Sequence, residues 1–197
     1  MNIDVIANNL ANVSTTGFKR SRAEFQDLLY ETMQPPGGST SENTEAPTGI
    51  QLGHGVRPVA VAKNFSDGEL HQTKNELDLA IEGNGFFQIT LPNGSTAYTR
   101  AGAFNLDREG RVVTPDGFLL EPSISVPTDA ISLTIGMDGT VSALRAGDAS
   151  PREVGTIELA RFTNSAGLQA IGKNLFLATQ ASGDAITGTA GENSFGS

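Results

Sequence analysis

Two histidines, His54 and His71, are the side chains of this sequence best suited to acid–base work or metal binding near neutral pH. His54 sits in Leu52-Gly53-His54-Gly55, and His71 precedes Gln72. Neither has a second ligand at helical or strand spacing, and the chain has no cysteine, so a transition-metal site would rest on carboxylates alone. No metal and no cofactor are expected. Two acidic pairs come next: Asp107 with Glu109 across a turn, and Asp78 with Glu82 on one strand face. Such pairs can form a general acid and base. Beside glycine turns, however, carboxylates mostly serve as solvated turn formers. Gly83-Asn84-Gly85 follows a strand-like run, but Gln88 holds the third glycine position of a dinucleotide loop and a strand follows where a helix is needed. No Gly-x-Ser-x-Gly elbow and no Gly-Lys-Ser/Thr phosphate loop occur. No catalytic residue is expected, and Lys19-Arg20-Ser21-Arg22 is a small basic patch suited to an acidic partner.

The side chains better placed for recognition lie at the start. Ile3, Ile6, Leu10 and Val13 recur at helical spacing and predict an amphipathic helix over residues 2–13. Asn8, Asn9 and Asn12 flank that stripe where a solvated helix would carry Glu or Lys. Asparagine competes with the helix for backbone hydrogen bonds, so this helix is expected to be held by neighbours. Its amides donate and accept across a packed interface.

Composition narrows the class. The 197 residues carry net charge −9, 38% hydrophobic residues, 18% charged residues and 23 glycines. That mix describes a turn-rich β protein rather than a coiled coil or an acidic tail. The acidic balance and the scattered 13 basic residues argue against nucleic acid. No apolar run approaches ~18 residues, so no membrane-spanning helix is expected. No basic segment followed by an apolar stretch marks a cleavable signal at the N-terminus.

The expected organisation is mainly β. Ser14-Thr15-Thr16-Gly17 ends the first helix, and Ser21-x-x-Glu24 with Phe25, Leu28 and Leu29 predicts a second helix stopped by Pro35-Pro36-Gly37-Gly38. Residues 34–47 form a long polar loop. Strands are then expected at Val56–Val61, at Leu77, Leu79 and Ile81 by alternation, at Phe86–Leu91, and at Thr96–Arg100 across the Asn93-Gly94 turn. Further short strands fall at 111–114, 118–120, 131–135, 140–143, 154–162 and 175–179. The fold expected is an irregular β sandwich or barrel-like domain with a short N-terminal helical segment. Its divisions are a helical segment, 1–29; an extended linker stretch, 30–66; a β domain, 67–182; and a polar return linker, 183–197.

The run Ala7-Asn8-Asn9-Leu10-Ala11-Asn12-Val13-Ser14-Thr15-Thr16-Gly17-Phe18-Lys19 resembles the N-terminal signature of the bacterial flagellar basal-body rod and hook family. Asp78–Ile89, Tyr98–Phe104, Thr114–Phe118 and Ile135–Val141 resemble the segments that open and continue the β domain of that family, in the same order. Two features make the chain most like the members that build the distal rod. Its β domain is single and small. The stretch Tyr30-Glu31-Thr32-Met33-Gln34-Pro35-Pro36-Gly37, with the polar run to Pro47, is similar to an insertion that wedges between subunits there.

The resemblance implies a non-enzymatic subunit that self-assembles into a stiff helical tube and carries motor torque through the periplasm to the hook. Its implied partners are copies of itself, proximal rod proteins, the hook protein and the surrounding ring proteins, reached by export without a cleavable signal peptide. Asn8, Asn9, Leu10, Asn12, Val13, Phe18, Tyr30, Met33, Pro35 and Pro36 are then the expected subunit contacts. A proximal rod or hook subunit is the alternative within the family, and a β-fold polysaccharide hydrolase the alternative outside it. Family members carry a further helical stretch before the residue matching Asn2 and a long C-terminal helix, and both are missing from this sequence. Residues 1–13 are therefore expected to be poorly ordered or abnormally packed in a monomer.

Overall fold

The computed structural model describes residues 1–34, 39–41, 44–45, 48–191 and 195–196. It divides into two compact units: unit 1, residues 1–11 and 20–64, and unit 2, residues 12–19 and 65–197.

Unit 1 is one helix and a long antiparallel hairpin. Helix α1 (Asn2–Ala11) realises the predicted amphipathic period. It stops two residues early because Asn12 turns the chain: its carbonyl accepts from the Thr15 N–H at 3.0 Å. The predicted second helix is not formed. Residues 21–34 are strands β1 (Ser21–Asp27) and β2 (Tyr30–Gln34). Residues 22–26 of that segment also fit period two, with Ala23 and Phe25 alternating against Arg22, Glu24 and Gln26, while Leu28 and Leu29 fall outside β1. A long-range partner then outweighs weak local helix propensity. That partner is the valine-rich β6 (Val56–Lys63), which pairs with β1 from Ser21↔Lys63 to Asp27↔Val56. The ladder slips at Glu24/Phe25, which sets Phe25 opposite Pro58. A proline with no N–H is tolerated at such an irregularity. The hairpin continues through β2 against β5 (Ile50–Gly53), and β3 (Ser39–Ser41) pairs with β4 (Thr44–Glu45). Much of the stretch expected as linker is thus a two-stranded ribbon.

Unit 2 carries the core. Strand β7 (Phe86–Thr90) pairs along one edge with β8 (Thr96–Thr99) across the predicted Asn93-Gly94 turn. Its other edge is shared between β11 (Leu119–Glu121) and β15 (Glu158–Arg161). Strands β9 (Asn105–Leu106) and β10 (Val112–Val113) extend the sheet beyond β11, and β16 (Gln169–Gly172) and β17 (Leu175–Leu177) extend it beyond β8. A separate three-stranded sheet has the order β12 (Ala130–Ile135), β13 (Thr140–Arg145), β14 (Arg152–Thr156). The segment read as a polar return linker holds β18 (Ile186–Thr189), paired with β15. The fold is mainly β with one short helix, and its strands do not close into a barrel.

Both faces of the large sheet are buried. Successive residues on β7, β8, β15 and β17 point to opposite sides. Phe87, Ile89, Ala97, Leu159 and Leu175 join one core cluster, while Phe86, Tyr98, Ala160 and Phe176 join the other. Phe87 meets Phe104 edge-on at 5.1 Å, and Tyr98 meets Phe162 at 4.7 Å. Leu77, Leu79 and Ile81 pack against the first cluster as their alternation predicts. The backbone there forms only an isolated bridge, Asp78↔Ala103, with the Leu79 N–H donating to the Gly102 carbonyl at 2.8 Å.

Candidate subunit-contact surfaces

Unit 1 presents apolar side chains with nothing of its own to cover them. On α1, Ile3 is 80% exposed and Leu10 70%, and no residue of the helix is buried. On the hairpin, Leu29 is 88% exposed and Met33 70%, and Tyr30, Ile50, Leu52, Val56 and Val59 are exposed as well. Scattered exposed apolar residues are ordinary, but a helix and a ribbon that both lack a buried face are not.

The asparagines do different jobs. Asn9 is a clip: its Nδ2 donates to the Ser21 carbonyl at 2.8 Å, and its Oδ1 accepts from the Ser21 N–H at 2.9 Å. This pair mimics one rung of a β ladder and ties α1 to the start of β1. It also takes the N–H that a capping box would have given to Glu24. Asn8 lies exposed on the helix. The Asn12 Oδ1 accepts from the Thr15 hydroxyl at 3.4 Å and so helps make the turn. Among the expected contact residues, Leu10, Tyr30 and Met33 are exposed on unit 1, and Val13 is exposed on the loop that follows the helix. The Tyr30 ring packs over Gly53, where an added Cβ would stand 2.9 Å from Cε1. Pro35 and Pro36 lie outside the described residues. Pattern reading missed Leu29, Ile50 and Leu52, because the helix assignment and the linker assignment hid the strand pairing that displays them.

The loop 12–19 is built into unit 2. The Thr16 carbonyl accepts from Asn174 Nδ2 at 3.1 Å, and Lys19 Nζ donates to the Ser66 carbonyl at 2.8 Å. Gly17, at φ +73°, lies so close to Ala101 that an added Cβ would stand 2.6 Å from its Cα. Phe18 is half-buried, and its N–H donates to the Thr15 carbonyl at 3.2 Å. The basic run is divided: Lys19 belongs to unit 2, Arg20 and Arg22 to unit 1.

The acidic and histidine groups weighed for chemistry make turn hydrogen bonds or exposed ion pairs. Asp107 Oδ1 accepts from the N–H groups of Glu109 (2.9 Å) and Arg111 (2.8 Å), and Oδ2 from Arg111 Nε (2.7 Å). Burial works to raise its pKa, but the hydrogen bonds and charge of Arg111 outweigh it and hold the carboxyl below its ordinary value. A general acid would need the opposite shift. Asp78 accepts from the Asn75 amide at 2.9 Å, and His54 stands 3.7 Å from Glu31 with both side chains exposed. Among the described residues no three His, Asp or Glu gather as a metal site.

Comparison with known proteins places these surfaces in context. Residues 80–143 match the model of the flagellar hook protein FlgE/F/G D1 domain, and residues 1–19 match that of the flagella basal body rod protein. The flagellar basal-body rod protein FlgG of Buchnera aphidicola subsp. Schizaphis graminum is 49% identical over 196 residues, covering 100% of this chain and 75% of that protein. The FlgG of Caulobacter vibrioides is 48% identical over 197 residues, with the same coverage. That of Borreliella burgdorferi is 46% identical, covering 99% of this chain and 74% of the relative. Residues 20–79, which contain the ribbon, lie outside both family models but inside these whole-chain alignments.

Proposed function

Because this chain belongs to the family of the flagellar basal-body rod protein FlgG, we propose that α1 and the hairpin ribbon are the surfaces by which its copies hold one another. The chain is a structural subunit of the flagellar distal rod and is located in the basal body. Membership in the rod and hook family implies assembly with itself and with other rod and hook proteins. The finer reading is of a non-catalytic part of a periplasmic shaft that meets the surrounding rings and passes torque to the hook.

The observation that carries this is unit 1 itself, a helix and a ribbon whose large apolar side chains are exposed together. Burying one Leu, Ile or Met against a neighbour stabilises by about 1.5–3 kcal/mol. A few such anchors per copy offset the ordering of a thin hairpin on assembly. Head-to-tail repetition of one contact between unlike patches gives a helical tube. A ribbon lodged between copies resists their sliding and so stiffens the tube. In this reading the stretch 30–47 is the wedge, together with its strand partner β5; Tyr30, Met33, Ile50 and Leu52, with Leu29 just before them, are its apolar teeth, and Leu10 and Val13 contact copies near the helix.

The test is to replace Leu29 and Met33 together by serine in the chromosomal gene. Basal bodies are then imaged by electron microscopy and swimming is scored. Rods that are missing, short or bent are expected, while the purified variant keeps its near-UV circular dichroism. Straight rods of normal length in swimming cells would refute the assignment.

A further inference from the structure

The three-stranded sheet of unit 2 ends on two unlike edges. Strand β14 carries Arg152 and Glu153, and charge on an edge strand discourages another chain from pairing with it. Strand β12 reads Ala130-Ile131-Ser132-Leu133-Thr134-Ile135, six residues with no charge, no proline and no glycine. The edge strands of the large sheet, β9, β16 and β18, have only two to four residues. An uncharged six-residue segment of high β propensity is the kind that adds strands from other chains.

The ladder shows which backbone groups of β12 are open. The Gly136 N–H donates to the Thr140 carbonyl at 2.9 Å, so that pair is a bonded one. Bonded and non-bonded pairs alternate along an antiparallel ladder. Ile135↔Val141 and Leu133↔Ala143 are then non-bonded, and the N–H and C=O groups of Ile135 and Leu133 point away from β13. Among the described residues no strand pairs on that side. A side chain meets it instead: the Leu133 N–H donates to Glu76 Oε2 at 2.9 Å. Glu76 is held for this contact. It lies in a turn closed by the Asp78 N–H on the Asn75 carbonyl at 3.2 Å and by the Asn75 amide on Asp78 Oδ1 at 2.9 Å. Leu77, the next residue, packs against the first core cluster as Leu133 and Ile135 do.

We propose that Glu76 guards the free edge of β12, and that the strand it keeps out is β12 of a second copy. Its carboxylate occupies the Leu133 N–H that an incoming carbonyl needs. It also sets a charge where an incoming strand would exclude water. The excluded partner follows from the strand itself. Set antiparallel about Thr134, two copies place Leu133 of one opposite Ile135 of the other, and each such pair can exchange both hydrogen bonds. No charge on β12 opposes that contact. Such a pair is isologous and closes on itself, so it withdraws both copies from any head-to-tail stacking. The inference needs no contact made by unit 1.

The test compares Glu76→Ala with the unaltered chain by sedimentation and amide hydrogen exchange. In dilute solution the Leu133 amide of the variant is expected to exchange about tenfold faster, with β7 and β8 unchanged. The variant is expected to associate at lower concentration than the unaltered chain, with Leu133 and Ile135 becoming protected as it does so. An unchanged Leu133 rate, no added association, or association that leaves those two amides unprotected overturns the proposal. A second change separates the guard from plain destabilisation. Ile131 is 69% exposed on β12, and Ile131→Lys puts a charge back on that edge. Glu76→Ala with Ile131→Lys is expected to behave as the unaltered chain does. Ile186→Lys on the β18 edge is the control and should not rescue. Rescue by both lysines, or by neither, overturns the proposal.

Discussion

Units 1 and 2 are made from the same kinds of residue and spend them in opposite ways. In unit 2, Phe86, Phe87, Ile89, Phe104 and Leu159 lie in two cores on either side of one sheet. In unit 1, Ile3, Leu10, Leu29, Ile50 and Val59 face out. A lone two-stranded ribbon is marginally stable in water, and a ten-residue helix is short for independent helicity. Unit 2 therefore carries a core of its own, while unit 1 leaves its large apolar side chains exposed. The contrast teaches that the same residue types finish a core in one unit and, in the proposed assembly, await other copies to finish one in the other.

The sharpest way to break the contrast is to cut into both units and compare. Phe104→Ala removes a fully buried ring that meets Phe87, and it is expected to cost about 3–5 kcal/mol in urea unfolding. Val59→Ser on the ribbon is expected to change the monomer by under ~0.5 kcal/mol. Equal costs would mean that unit 1 has a core of its own. Arg100→Ala comes next. It leaves the Phe65, Gly83 and Gly85 carbonyls without their donor and is expected to cost roughly 3 kcal/mol. Lysine at that position should recover only part, since one ammonium cannot span the same fork. Gly17→Ala follows at about 2 kcal/mol, because its positive φ and the Ala101 backbone both oppose a Cβ. Its effect should appear in unit 2 unfolding, where the loop is docked.

How much of this was legible in the sequence divides along the same line. In unit 2 the Asn93-Gly94 turn, the Phe86–Leu91 run and the alternation of Leu77, Leu79 and Ile81 report local geometry, and each was readable. Strand β18 was not: Ile186-Thr187-Gly188-Thr189 looks polar and loop-like until β15 supplies its ladder. In unit 1 the helix was readable from its period, but β1 and β2 were not, because their partners lie far along the chain, from Gln34↔Ile50 to Ser21↔Lys63. The Asn-rich stretch was correctly marked as unusual for a helix. What it could not reveal was the division of labour, in which Asn9 binds Ser21, Asn12 makes a turn and Asn8 stays exposed. The ribbon's apolar display was hidden with its pairing.

A smaller effect tests the clip within unit 1. Asn9→Ala removes both bonds to Ser21 and is expected to cost about 1 kcal/mol of local stability. The measurement is amide hydrogen exchange of α1 and of residues 21–27, which should quicken together while β7 and β8 stay protected. Asn9→Asp keeps the acceptor and loses the donor, so it should fall between. If exchange in the helix rises and that of β1 does not, α1 and β1 are not joined through this amide. The same experiment on the unaltered chain should show weak protection throughout unit 1.

The least effect concerns pH. Asp107 is held below its ordinary pKa, with burial opposing and the Arg111 and Glu109 donors prevailing. Asp138 is lowered chiefly by hydrogen bonds from Thr140. A carboxyl whose folded pKa lies below its unfolded value stabilises the fold fully above the unfolded value, about 3.9. That contribution is lost as pH falls below it, through the folded pKa. The urea midpoint should thus be flat around neutral pH and decline below about pH 4. In Asp107→Asn the midpoint should start lower at neutral pH and decline less on acidification, because the turn has already lost its charged acceptor. Both turns lie in unit 2, so the acid decline belongs to the unit with the core. Among its described residues unit 1 has two ion pairs, the N-terminal amine with Asp4 at 2.7 Å and His54 with Glu31 at 3.7 Å, both exposed and screened by salt. Should acid instead loosen the ribbon first, with unit 2 intact, electrostatics rather than missing neighbours would be the weak point of unit 1.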